Sequence, residues 1–207
     1  MNPAIKTLVA KWAEPDGIPI KGFLIGPDGC MCAQGQALHY IGGWSPDQLR
    51  NVIQSVADRE TARLLDISVS HAILLRLVND SRPGAPSVVL TDPAQVLGDQ
   101  AETVLAFWRH LDRMTAEQWT AVWAVARDAA WADPWAVAGT AARDAAWADP
   151  WAVAGTAAGT AARAAAWATS EIQGARLLRE SGQPFTFLPM FGFADPEAIL
   201  AKEAQHD

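Results

Sequence analysis

"RDAAWADPWAVAGTAARDAAWADPWAVAGTAA" (Arg127–Ala158) states the same sixteen residues twice, letter for letter. Its rhythm is finer than its length. Trp, Arg or Gly occupies every fourth position from Trp119 to Trp167, and Ala, Val, Asp and Thr fill nearly all the rest. Ala is the strongest helix former, so the segment is predicted to be helical. Each residue of an α-helix advances about 100°, so a step of four overshoots one turn by about 40°. The tetrad stripe therefore winds around the rod, and no single flat partner covers it. Either the helix supercoils right-handed, the direction set by a period above 3.6, or it breaks into shorter pieces.

The chain supplies breaks at Asp133-Pro134 and Asp149-Pro150. Proline removes a backbone donor and turns the preceding residue away from helical conformation, while Asp-Pro is itself a good helix start. Gly139, Gly155 and Gly159 weaken the interior further, by about 1 kcal/mol each relative to Ala. Kinked rods are expected, with Trp131/Trp135 and Trp147/Trp151 bracketing the kinks. An unbroken helix over the whole segment would measure roughly 80 Å, against a radius of gyration of roughly 17 Å for a compact chain of this size. The repeat is thus expected to fold back as a hairpin or to project toward a partner.

Outward from the repeat, three regions are expected. Residues 1–115 read as a globular, mostly helical domain with a minor β component. "AIKTLVAKW" has helical spacing, and Ser45-Pro46 is a strong helix start running through "SPDQLRNVIQSVADRETARLLDI". "IPIKGFLIGPDGCMCAQGQAL" reads as a strand, a Gly-Pro-Asp-Gly turn and a second strand or helix start. "SVVLT" reads as a short strand in a loop, and the helical pattern after it is interrupted near Gly98. Residues 116–170 are the Ala/Trp-rich repeat, opened by Thr115 as N-cap. Residues 171–207 are an aromatic loop and a final helix at Asp195-Pro196, with Phe185, Phe187, Phe191 and Phe193 packing back on the core. The fold class is mainly α.

A net charge of −7 and a pI near 5.0 argue against a general polyanion binder. The two cysteines, Cys30 and Cys32, lie too close together to staple a fold, which fits a reducing, cytoplasmic compartment. No secretory leader is read in the first residues, and charges interrupt the Ala/Trp stretch before it could span a membrane.

Three constellations could carry chemistry. The first is the ladder: Arg127, Trp131, Trp135, Arg143, Trp147, Trp151, Arg163 and Trp167. Indole offers a stacking face and guanidinium a fork for phosphate oxygens, the pair a nucleotide binder needs. The same residues also serve as packing devices, as solvated positions paired with Asp128 or Asp144, or as anchors in protein interfaces. The second is Cys30, Cys32 and His39, which lack the spacing and fourth ligand of a zinc site and read instead as two buried thiols. No metal or cofactor is expected. The third is "RETARLLDISVSHAILLRLVND" (Arg59–Asp80), which resembles the helix-turn-helix of the lactose-repressor family at Ala62, Leu65, Ile67-Ser68, Ile73 and Val78-Asn79. That resemblance implies a second helix in the major groove, but here it carries a single Arg, Arg76, among aliphatics. A buried structural helix is the expectation, and DNA is not an expected partner.

Together, "GFLIGPDGCMCAQGQAL", "ARLLDISVSHAILLRLVND" and the "AARDAAWA" tetrads resemble a group of uncharacterised proteins encoded by bacteriophages and their hosts. The resemblance implies an accessory factor of a class often dedicated to blocking host defence, and it brings no catalytic residue. A non-enzymatic binding protein is therefore expected, one that sequesters a nucleotide signal or a host protein through its Trp/Arg surface. An assembly arm that makes the chain a homo-oligomer is the alternative, and a DNA-binding regulator the second. Exact duplication supports binding or spacing over catalysis, because a rod tolerates an added block that would displace the wall of a catalytic pocket.

Overall fold

The computed structural model describes residues 2–81, 86–132 and 153–205, and for 127–132 and 153–163 the helical backbone alone. The chain is mainly helical and divides into two compact units, Met1–Gly98 and Asp99–Asp207. Among the described residues there is no named strand. The expected β component is reduced to one antiparallel bridge between Ile25 and Met31, around the Gly-Pro-Asp-Gly turn.

The first unit holds α1 (Pro3–Trp12), α2 (Ala33–Gln36, continued by a π-turn over Ala37–Ile41), α3 (Pro46–Asn51), α4 (Gln54–Leu65), α5 (Val69–Ser81), α6 (Pro86–Thr91) and α7 (Ala94–Leu97). Ser45 caps α3 in a reciprocal capping box with Gln48, as Ser-Pro-x-Gln chemistry demands. The single helix read through 45–66 is corrected. Val52 and Ile53 are extended (ψ 140° and 146°), so α4 starts afresh at Gln54. "SVVLT" is also corrected: its β-branched residues lie in helix α6, because burial of Val89 and Leu90 outweighs local strand preference. One core joins Leu8 and Trp12 of α1, Leu65 of α4, Leu75 of α5 and Val89 of α6. Gly35 lets the Leu24 loop lie on α2, since a Cβ there would meet the Leu24 carbonyl oxygen at 1.8 Å.

The second unit holds α8 (Ala101–Arg113), α9 (Ala116–Ala132), α10 (Val153–Glu180) and α11 (Pro196–Glu203). Thr115 caps α9, accepting from the Gln118 N–H at 3.3 Å, and Asp195-Pro196 opens α11. Ala165, Ala168, Ile172 and Ala175 form the buried stripe of α10. The three alanines of the stripe admit α8, and Trp108 Nε1 donates to Thr169 Oγ1 at 3.2 Å. Phe107 is fully buried and meets Phe191 and Phe193 edge-on, at 5.3 and 6.1 Å between centroids. Arg109 and Arg113 both bind the Glu203 carboxylate, fastening α11 to α8. The Asp-Pro kinks at 133–134 and 149–150 lie outside the described residues.

Candidate functional site

Trp167 is the one ladder residue whose side chain is described. Arg127, Trp131, Trp135, Arg143, Trp147, Trp151 and Arg163 lie outside the described side chains. Earlier rungs of the same tetrad series pack within the unit: Trp119 lies 6.4 Å from Trp123 and edge-on to Phe191 at 6.2 Å. Trp167 stacks on Phe187, with rings 10° apart in plane and 5.5 Å apart at their centroids, and it also lines an open cleft of about 500 Å³.

Local sequence builds this cleft in two walls. One is a face of α10, where Trp167, Ser170, Glu171, Gly174 and Leu178 recur at three- and four-residue spacing. It runs for about 21 Å from Trp167 to the helix end. The other is the return segment through Gln183, Pro184, Thr186 and Phe187. The reversal between them is a glycine-terminated helix end. Gly182 sits at φ 67°, its N–H donates to Arg179, and the Gln183 N–H donates to Leu178 at 2.9 Å.

Glu171 fixes the second wall. Its carboxylate, in a residue 8% exposed, accepts from the Thr186 N–H and hydroxyl and from the Phe187 and Leu188 N–H groups. The last two bonds measure 2.8 and 2.9 Å, and they fall at the start of the 3₁₀ turn Leu188–Phe191. An anion suits that position because the first N–H groups of a helical turn lack internal partners. The remaining polar lining is largely occupied: Ser170 Oγ donates to Ala166 O, and Ser181 Oγ to Leu177 O. No lysine, arginine or histidine lines the cleft among the described residues.

Sequence reasoning did not anticipate Glu171, nor a buried polar network in the first unit. There Gln34 Nε2 donates to Asp58 Oδ1 at 2.8 Å and to Ala72 O at 3.1 Å. Gln54 Nε2 donates to Gln34 Oε1 and Asp58 Oδ1, and Arg76 Nε lies 3.4 Å from the same carboxylate oxygen. The network clamps α2, α4 and α5 together. Gln34 in "CAQGQ" was the available signal, but its side-chain partners lie 20 and 24 residues away.

Cys30, Cys32 and His39 do not assemble. Cys30 is exposed, which corrects the reading of two buried thiols, and Cys32 is buried with its sulfur capping α2 through the Gly35 N–H. A hydrogen bond to the Asp28 carboxylate pushes the Cys30 thiol above its ordinary pKa, and burial does the same for Cys32. Both are thus held in the protonated, weakly nucleophilic form. His39 Nδ1 pairs with Trp44 O at 2.7 Å instead. Among the described residues no group of three His, Cys, Asp or Glu side chains is arranged to hold a metal.

The helix-turn-helix region does form two helices about a turn, with Asp66 left-handed (φ 54°) and Ser68 accepting from the His71 N–H. Yet Ser70, His71 and Ala72, at the start of the second helix, are buried, and His71 Nε2 pairs with Val89 O at 2.7 Å. Arg76 is turned toward Asp58. A reading helix must expose its first turns to bases; this one faces its own unit.

Among the described residues no helix is long and apolar enough to cross a membrane. No protein-family model matches the chain, and no curated protein or solved structure does.

Proposed function

We propose that this is a non-enzymatic binding protein of the phage accessory type, which sequesters a small ligand or a side chain of a host protein on the Trp-bearing face of α10. The observation that carries the reading is the placement of Trp167 on an open cleft of about 500 Å³, a volume typical of ligand sites, which span roughly 300–1,000 Å³. The cleft combines apolar surface with few uncommitted polar groups, which is binding rather than bond-breaking equipment. Arg127, Arg143 and Arg163, with the Trp rungs between them, extend the recognition surface in this reading.

A thermal-shift screen of ring-bearing metabolites, including cyclic and ADP-ribose-type nucleotides, tests it on the wild type and on Trp167→Ala. A ligand that binds only the folded state raises the unfolding temperature. At least one compound should stabilise the wild type and lose its effect on the variant. No hit, or hits indifferent to Trp167, would sink the proposal.

Assembly is a second reading, favoured by one observation: Leu177 is 64% exposed on α10, and a Cβ at Gly174 would meet nothing within 4 Å. An open, small-residue helix face of this kind accepts another helix. Light scattering on Leu177→Glu should then report a smaller oligomer than the wild type, and an unchanged oligomeric state would count against this face as the contact.

A further inference from the structure

We infer that a second cavity, within the Asp99–Asp207 unit, binds a short-chain monocarboxylate: a carboxylate on a small aliphatic body. The cavity measures about 180 Å³ and is lined by Met114 at the end of α8, Gln118 and Val122 of α9, Met190 and Phe191 of the 3₁₀ turn, and Lys202 of α11. Among the described residues it shares no lining residue with the Trp167 cleft, so the two sites stand or fall separately.

The polar equipment of this cavity donates. Gln118 Oε1 accepts from the Thr115 N–H at 2.8 Å, so what the amide has left to offer is its NH2 group. Lys202 Nζ lies 5.1 Å from the centroid of Phe193, a buried ring that gives the ammonium a seat. Among the described residues Lys202 makes no ion pair with a carboxylate. Its neighbour in the chain, Glu203, is shared by Arg109 and Arg113, and one carboxylate between two guanidinium groups leaves that cluster net positive. An entering carboxylate therefore meets an ammonium and an amide N–H in a positive setting. Charge-assisted hydrogen bonds are about twice as strong as neutral ones, which favours an acid over its amide.

The remaining walls fix the size and character of the body. Val122 and Phe191 are buried and apolar, and Met114 and Met190 bring flexible thioethers that mould to small aliphatic groups. The volume equals about six waters of the liquid, each of roughly 30 Å³. It lies below the roughly 300 Å³ at which sites for drug-sized ligands begin. A branched acid of five carbons matches both the space and the walls.

The test is isothermal calorimetry on the full chain with isovalerate, its neutral isostere isovaleramide, and N-acetyl-leucine, whose carboxylate belongs to a peptide-like terminus. Isovalerate should bind about tenfold more tightly than the amide, and N-acetyl-leucine more weakly than isovalerate. Lys202→Met, which keeps the stem and removes the charge, should cost isovalerate about tenfold and leave the amide unchanged, and Lys202→Arg should recover most of the loss. Ala121→Phe, at an exposed position of α9 that lines the cavity, should abolish binding of both. Should Lys202→Met fail to fold, the acid and amide pair and Ala121→Phe decide. Equal affinity for acid and amide, isovalerate binding indifferent to Lys202→Met or Ala121→Phe, or no binding at about 10 mM would overturn the inference. Tighter binding of N-acetyl-leucine would also overturn it, by assigning the cavity to a chain terminus.

Discussion

Glu171 and Thr186 are joined twice, the carboxylate of one accepting from both the backbone N–H and the hydroxyl of the other. These two hydrogen bonds, with those from the Phe187 and Leu188 amides beside them, hold the return segment to α10. The position is an anion site filled from within the chain, and its removal has a defined cost.

Glu171→Ala should destabilise the second unit by about 2–4 kcal/mol, because buried donors lose their acceptor together. Urea unfolding followed by fluorescence measures this. Amide hydrogen exchange should accelerate first at Phe187 and Leu188. Unchanged protection there would show that the return segment is held by other contacts.

Two glycines should respond oppositely to alanine. At Gly35 the added Cβ would lie 1.8 Å from the Leu24 carbonyl oxygen, so the variant must displace backbone and should lose several kcal/mol or fail to fold. At Gly174 nothing lies within 4 Å of the added carbon, and the helix should gain up to about 1 kcal/mol. Thermal denaturation of the two variants side by side checks the contrast.

The Arg113 hydrogen bond, aided by Arg109, pulls the Glu203 carboxyl down to about 2. Its folded value is thus depressed below the ordinary value of 4.5. The stabilisation is full above that ordinary value and is lost as pH falls toward about 2. The two arginines are 47% and 41% exposed, so salt should blunt the effect. Acid titration of stability with and without Arg113→Ala measures it: the variant should lose less stability between pH 4.5 and 2 than the wild type.

Maleimide labelling of the native protein should modify Cys30 and spare Cys32, with both reacting after denaturation. Cys30 should react more slowly than a free cysteine at neutral pH, because Asp28 disfavours its thiolate. Asp28→Asn should accelerate it, as mass spectrometry over time would show.

What the sequence discloses here follows the range of the interaction. Caps at Ser45, Thr115 and Asp195 act within three or four residues, and the letters alone locate them. The interruption at Gly98 is equally local, a glycine at φ 73°. Composition marks the Ala-rich helices, but it misplaces Val88 and Val89, whose strand preference yields to burial in α6. The break at Val52-Ile53 carries no proline or glycine to announce it. The cleft was least accessible to reading, for its defining bonds join positions 15 to 17 residues apart across a chain reversal. Trp167 was legible as a rung of the tetrad series; the acid beside it in the cleft was not.

Among the described residues the lining of the cleft begins at Trp167, downstream of the duplicated block that ends at Ala158. Direct repeats expand and contract when a replicating strand slips on its template, so copy number is an easily changed trait. Here such slippage would rewrite none of the codons for the described residues that line the cleft. The repeat can thus gain or lose a block in one genetic event while the described residues of the cleft are inherited unchanged.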